Sequence, residues 1–151
     1  MLSDYAAIAG NIQFAIAPVF LIAGVGALLN VMTSRLARVV DRGRALEQAL
    51  AEPGGEAMRE AHLAELAGLD TRMRRINRAI LLSTFSCLLT CLVIVALFAG
   101  ELIRADLSTA IATLFIAAML ALIAGLIAFL GGIAFATRFL RIAREYRRAK
   151  P

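Results

Sequence analysis

Three long apolar runs dominate the pattern of hydrophobic and polar positions along the chain. They cover residues 6–32, 79–99 and 109–137, and none of them contains a charged residue. Each is as long as or longer than the roughly 20 residues that a helix needs to cross the hydrocarbon core of a bilayer. The pattern therefore predicts an all-α integral membrane protein with three transmembrane helices in a single membrane domain, 1–151.

The polar segment 33–78 has a regular pattern of its own. Its apolar positions recur at alternating spacings of three and four, which is the heptad pattern of a coiled coil. One seam consists of Leu36, Val39, Gly43, Leu46 and Leu50, and the other of His62, Leu66, Leu69, Met73, Ile76 and Ile80. Pro53 and two glycines separate them. We predict an antiparallel helical hairpin whose two arms extend the first and second spans.

The arginines indicate the orientation. Segment 33–78 carries nine arginines, segment 100–108 carries one, and the tail 138–151 carries five plus Lys150, whereas the N-terminal segment carries none. Positive charge is retained on the cytoplasmic side. The hairpin and the C-terminus are therefore predicted to be cytoplasmic and the N-terminus to lie outside. The basic tail can lie on anionic headgroups or pack on the hairpin.

Composition agrees with a membrane location. The hydrophobic fraction is 61%, above the roughly 45–50% of a typical soluble domain. The net charge of +5 could suit nucleic acid, but these charges flank membrane spans, so the bilayer is the simpler partner.

Two groups of polar residues inside the spans are candidates for pore lining or for polar packing between helices. The first span holds Gln13, Pro18 and Asn30, and Pro18 predicts a kink. The second span holds Ser83, Cys87 and Thr90 at spacings of four and three, which predicts a mildly polar stripe. Hydroxyl groups of this kind also bond to carbonyls of their own helix, so the stripe has a packing interpretation as well.

A charged cluster follows the first span. It consists of Arg35, Arg38, Asp41 and Arg42, and Asp41 can pair with Arg38 or Arg44. In a ring of subunits these arginines would form positive collars at a cytoplasmic mouth, which favours anions. Ordinary anchoring to lipid headgroups is the alternative interpretation.

The sequence shows no sign of catalysis. No nucleophile has an evident base, and no phosphate loop, carboxylate pair or metal-ligand spacing is present, so we expect neither an enzyme, a cofactor nor a metal site. His62 lies on a seam, and Cys87 and Cys91 are interpreted as packing residues. No ionisable residue lies deep in a span, which disfavours a proton-coupled transporter.

Three stretches resemble a known family. They are Ile12–Leu21 (IQFAIAPVFL), Gly24–Thr33 (GVGALLNVMT) and Arg35–Arg42 (RLARVVDR), with a weaker echo in Arg74–Ile80 (RRINRAI). They are similar to the small bacterial membrane proteins catalogued as domain of unknown function 2721. The resemblance implies three spans and a bacterial inner (plasma) membrane location, and it implies no activity.

Two functions compete on these observations. The first is a homo-oligomeric ion channel, because three spans cannot enclose a hydrated path alone but several copies around an axis can. The second is a membrane scaffold or accessory subunit whose hairpin binds a cytoplasmic protein partner. The expected partners are the lipid bilayer and further copies of the chain, with no nucleic acid.

Overall fold

The computed structural model consists of three helices, α1 (Leu2–Ala51), α2 (Glu56–Ile103) and α3 (Ser108–Arg148). It describes the backbone of residues 2–52, 55–103 and 105–148, and the side chains of residues 10, 12–52, 55–56, 58–103 and 105–132. All three helices are long and apolar enough to cross a membrane, so the prediction of a multi-pass all-α membrane protein is confirmed. The single domain and the cytoplasmic hairpin stay predictions.

Neither α1 nor α2 breaks where its apolar run meets its polar arm. α1 has 50 residues and α2 has 48. Pro18 lies inside α1 without ending it. This continuity follows from the sequence, because no strong helix breaker stands at either joint.

The helix ends are closed by local hydrogen bonds. The Gly55 carbonyl accepts bonds from the N–H groups of Met58 at 3.0 Å and Arg59 at 3.2 Å, which starts α2. At the other end of α2, the Ala105 N–H donates to the Gly100 carbonyl at 3.1 Å. Such bonds satisfy backbone groups that a helix end leaves without partners.

The contacts divide the chain into a first unit, 1–31 with 81–125, and a second unit, 32–80 with 126–151. In the first unit the buried apolar residues include Ala15, Val25, Val93 and Ala118. Most of its apolar surface stays uncovered, since no more than 22% of the apolar window of any span is buried. Lipid or further protein must therefore cover the rest.

The second unit is built around the predicted seams. Leu46, Leu69 and Ile76 are buried, and so are Met32, Ala79 and Phe129 among the described residues of this unit. The seam positions Leu36, Val39 and Leu66 are half-buried. The seams thus identify the less exposed side of each arm, while a coiled coil stays a prediction. The side chains of the tail 138–151 lie outside the described residues.

The start of α3 depends on Asp106. Its Oδ1 accepts a bond from the Ser108 N–H at 3.0 Å, and the Leu107 carbonyl accepts the first helical bond, from Ile111. Hydrogen bonds from the Ser108 hydroxyl and backbone lower the pKa of Asp106 from its ordinary value of 3.8. A carboxylate here also suits the positive end of the helix dipole.

We expect Asp106 to make unfolding depend on pH. Because its pKa is lower in the folded protein, its stabilisation is complete above 3.8 and is lost as the pH falls below that value. In thermal unfolding, Asp106→Ala should melt below wild type at neutral pH, and the gap should narrow in acid. Asp106→Asn keeps a hydrogen-bond acceptor but carries no charge, so the difference between its melting temperature and that of Asp106→Ala should not change with pH. If the difference between wild type and Asp106→Ala were the same at both pH values, the proposed role of the Asp106 carboxylate would be wrong.

Candidate functional site: polar groups of the apolar helices and the arginines of the second unit

The polar stripe of α2 is buried inside the first unit. Ser83 and Ser86 have no exposed surface, and Thr90 is 1% exposed. The Ser86 hydroxyl donates to the Ala118 carbonyl of α3 at 2.7 Å, and the Thr90 hydroxyl donates to the Ser86 carbonyl at 2.9 Å. Ser86 therefore links α2 to α3 within one chain, whereas the Thr90 bond stays within α2.

Ser86 is the residue that sequence reasoning left out of the stripe. It lies three residues after Ser83 and four before Thr90, so helical spacing alone could have added it. Its partner, a backbone carbonyl on another helix, has no sequence signature. Cys87 is half-buried and Cys91 is exposed.

The polar residues of α1 have a different environment. Gln13 and Asn30 are exposed, whereas Pro18 is buried. The small residues Ala23, Gly26 and Ala27, which share a face with Asn30, are exposed as well. Among the described residues, nothing lies within 4 Å of the position that a Cβ on Gly26 would occupy.

The small-residue face of α3 contrasts with that of α1. Ala118 and Gly125 are buried, and Ala117, Ala121 and Ala128 are half-buried. Small residues let helices in a membrane approach closely. The chain therefore uses the small face of α3 for its own packing and leaves the small face of α1 uncovered.

The predicted arginine collar is already partly engaged within the second unit. The Arg42 guanidinium donates to both carboxylate oxygens of Glu65, at 2.9 and 3.1 Å, and this hydrogen-bonded pairing raises the pKa of Arg42. The Arg35 guanidinium lies 5.3 Å from the ring centroid of Phe129, within the range of a cation–π contact. Arg38 and Asp41 are exposed. Among the described residues, the carboxylate that pairs with an arginine of this cluster is therefore Glu65 of α2.

Two further arginines of α2 have partners in the same unit. Arg74 bonds to Asp70 one turn earlier, at 3.0 Å, and this raises the pKa of Arg74. Arg75 donates to the Gly131 carbonyl of α3 at 3.5 Å, a long and therefore weak bond. These contacts give a partner for each of the two arginines, whereas the sequence shows only that both lie on the second arm.

A groove of 330 Å³ opens along the seams of the second unit. Its apolar lining comes from Val39, Leu66, Leu69 and Met73, among others, while Arg44, Glu47 and Asp70 supply charge. Such a mixture of apolar and charged groups suits a helix or peptide segment better than a small polar molecule. Within the described part of the chain, no group of three His, Cys, Asp or Glu residues could hold a metal ion.

Comparison with protein families gives one match. The family model described as protein of unknown function (DUF2721) matches residues 15–142. The matched range includes the first apolar run from residue 15 onward, both arms and the other two apolar runs, and it leaves out Gln13. No curated protein and no solved structure matches the chain significantly.

The buried hydroxyls permit a paired test. Ser86→Ala removes an interhelical bond and should destabilise the protein by about 0.6 kcal/mol, and by no more than about 2 kcal/mol. The Ser83 hydroxyl is buried without a hydrogen-bond partner among the described residues, so Ser83→Ala should be neutral or stabilising. Reversible unfolding in mixed micelles measures both. Equal effects of the two substitutions would show that the Ser86–Ala118 bond does not hold α2 and α3 together.

Proposed function

Because this chain belongs to the family described as protein of unknown function (DUF2721), which assigns no activity, we propose a function from the geometry: a homo-oligomeric ion channel or pore-like membrane protein with an arginine-lined cytoplasmic mouth. In this proposal the protein lies in a bacterial inner membrane, with the N-terminus outside. The arms of α1 and α2 form a cytoplasmic helical hairpin, and α1 faces the other subunits. The observation that carries the proposal is the uncovered polar side of α1.

An exposed amide in an apolar helix needs a partner that lipid cannot supply. Gln13 lies well inside the apolar run and is exposed on the first unit. Polar groups in hydrocarbon are stabilised by other helices or by a water-filled path. Further copies of α1 around an axis would provide both, since each Gln13 would face a neighbouring subunit or the enclosed water.

The uncovered side of α1 is also shaped for close association. Gly24, Gly26 and Ala27 are exposed, and no described atom lies within 4 Å of the Cβ position of either glycine. Gln13 and Asn30 are 17 residues apart, which is about 25 Å along a helix that rises 1.5 Å per residue. The two polar levels thus bracket most of a hydrocarbon core about 30 Å thick.

In this proposal α1 lines the water path. The hydroxyls of Ser83, Ser86 and Thr90 are buried and Ser86 bonds to Ala118 of α3, which supports the packing alternative for the α2 stripe. A water path lined by α1 leaves the Ser86–Ala118 bond in place. All three collar arginines are exposed, but Arg35 lies over the Phe129 ring and Arg42 is paired with Glu65, so Arg38 is best placed to act at the mouth.

Gly26→Leu tests the association. Gly26 is exposed and nothing among the described side chains lies within 4 Å of its Cβ position, so the fold should survive a leucine there while close approach of a second α1 is blocked. We expect wild type to form a closed ring of at least three subunits in lipid nanodiscs, and Gly26→Leu to dissociate. Mass photometry or imaging of the discs measures the subunit number.

The matched control adds the same side chain elsewhere. Ala124→Leu places a leucine on an exposed position of α3, and it should leave the ring intact. A monomeric wild type, or a ring that Gly26→Leu does not weaken, would overturn the proposed role of α1.

Arg38→Glu tests the mouth. Reversing this charge once per subunit should shift the reversal potential, measured in planar bilayers under a salt gradient, toward cation selectivity, because rings of like charge set the preferred ion. Arg59→Glu makes the same change of charge near the start of α2 and should have a much smaller effect. If Arg38→Glu conducts ions with unchanged selectivity, the proposal of an arginine-lined mouth is wrong.

A second candidate function is favoured by the groove along the seams. Exposed Met58, Leu63 and Met73 add apolar surface to the same unit as the groove, and methionine-rich surfaces adapt to different partners. A scaffold or accessory subunit would bind a cytoplasmic protein there. A monomeric chain in nanodiscs, with no conductance, would support this function in place of the channel.

A further inference from the structure

The polar contacts of the second unit mark one flank of its two seams. Arg35 and Arg42 each come one position before a seam residue of α1, and Glu65 and Arg75 each come one position before a seam residue of α2. One step along a helix turns by about 100°, so these side chains share a flank. Arg42 pairs with Glu65 there, while Arg35 and Arg75 contact α3.

The groove along the seams opens on the opposite flank. Its charged lining residues, Arg44, Glu47 and Asp70, each come one position after a seam residue. Val40, which also lines the groove, and Leu63, which is 52% exposed, occupy positions of the same kind. These positions turn in the other direction from the seams, so the groove lies on the flank away from the contacts with α3.

The groove carries balanced charge in a protein whose net charge is +5. Arg44 and Glu47 have opposite signs, and Asp70 is paired with Arg74. A strongly basic or strongly acidic partner would leave charges of one sign unmatched. A second copy of the same groove brings equal numbers of both signs, so the charge pattern favours association of the groove with itself.

The register of the two arms adds a specific match. The Arg42–Glu65 pair places these two residues at one level, and the short connection 52–55 makes the arms antiparallel. Five residues beyond Arg42 is Glu47, and six residues before Glu65 is Arg59, so Glu47 and Arg59 are nearly level. Both are exposed, and neither side chain forms a hydrogen bond or an ion pair with another described residue.

A two-fold axis along the membrane normal brings these charges together. Copies that cross the same membrane in the same direction present equal levels to each other. In an isologous contact about this axis, groove faces groove, and α1 of each copy lies opposite α2 of the other. Glu47 of each copy then meets Arg59 of the other copy, which gives two ion pairs for each pair of chains.

We propose that two copies of the chain pair through this groove, with the α1 arm of each packed against the α2 arm of the other. Leu63 of one copy is level with Arg44 of the other and enters its groove. The apolar lining residues become buried between four helices. The pairing goes beyond the proposed channel, because it uses the polar arms, whereas the ring is held by the apolar part of α1.

Disulfide crosslinking between two single-cysteine variants tests the pairing. Cys87 and Cys91 are first replaced by alanine. Arg44→Cys and Leu63→Cys are then placed in separate full-length chains with different tags, which are co-expressed and reconstituted together in liposomes. Oxidation should give a product that carries both tags, because positions 44 and 63 are level on facing grooves.

The matched control is the pair Ala45→Cys and Ala61→Cys. Both alanines are exposed, they are nearly level with each other, and each comes one position before a seam residue. They therefore lie on the flank away from the groove, and oxidation should give little or no product with both tags. Equal yields from the two cysteine pairs would reduce the crosslink to random collision and overturn the proposal.

Charge reversal tests the register. Glu47→Arg in both chains sets two positive charges against each other at each contact, and it should lower the yield of the 44–63 product severalfold. Adding Arg59→Glu restores opposite charges and should restore the yield. Helicity measured by circular dichroism checks the fold of each variant. A yield that stays low when both substitutions are present would show that the copies do not pair in this register.

The remaining outcomes concern other occupants and the channel. If no 44–63 product forms, the proposal is wrong, and protection of Leu63→Cys from a water-soluble maleimide would then show that a different molecule fills the groove. In Gly26→Leu the product should persist although the ring dissociates, and its loss would make the pairing a mere consequence of the ring. A ring in wild type without the 44–63 product would overturn the groove pairing and leave the channel standing.

Discussion

In hydrocarbon, no water is available to hydrogen-bond a backbone N–H or carbonyl group that lacks a protein partner. This constraint explains why the chain consists of helices of 50, 48 and 41 residues that run through the joints between apolar and polar sequence. Outside the apolar runs, local hydrogen bonds close the helix ends. Gly55 starts α2, Gly100 accepts a bond that ends it, and Asp106 binds the first amide of α3.

The same constraint sorts the polar side chains of the spans into two classes. The hydroxyls of Ser86 and Thr90 are satisfied by carbonyls inside the chain, and the Ser86 bond joins α2 to α3 while the Thr90 bond stays within α2. Gln13 is exposed on the first unit, on the same helix as the exposed Gly24 and Gly26. A polar residue with a partner inside the chain stabilises the protomer. An exposed one such as Gln13 needs a partner from another molecule. This asymmetry between α2 and α1 is the physical basis for placing further copies of the chain against α1.

The three spans could be predicted from the sequence because length and apolar composition alone decide whether a helix can cross a bilayer. The buried side of each arm could also be predicted, since Leu46, Leu69 and Ile76 recur at seam spacings. The partners of single polar groups could not. Asp41 stands next to candidate arginines in sequence, yet the observed ion pair joins Arg42 to Glu65, 23 residues away. Likewise, Ser83 and Ser86 look equivalent on one helix, and only contact with α3 distinguishes the bonded hydroxyl from the unbonded one.

The contacts of Arg35 and Arg42 show what arginine offers at these positions that lysine does not. Lys150 is the only lysine among 16 basic residues, although either residue would satisfy a rule based on charge alone. A guanidinium can lie over a ring, as at Phe129, or bind a carboxylate through two parallel bonds, as at Glu65, and keep further donors for an anion. A lysine ammonium offers neither the flat surface nor the fork. Arg35 and Arg42 therefore link helices of the second unit and present positive charge at the same time, and arginines with such contacts would contribute less to the proposed pore mouth than their number suggests.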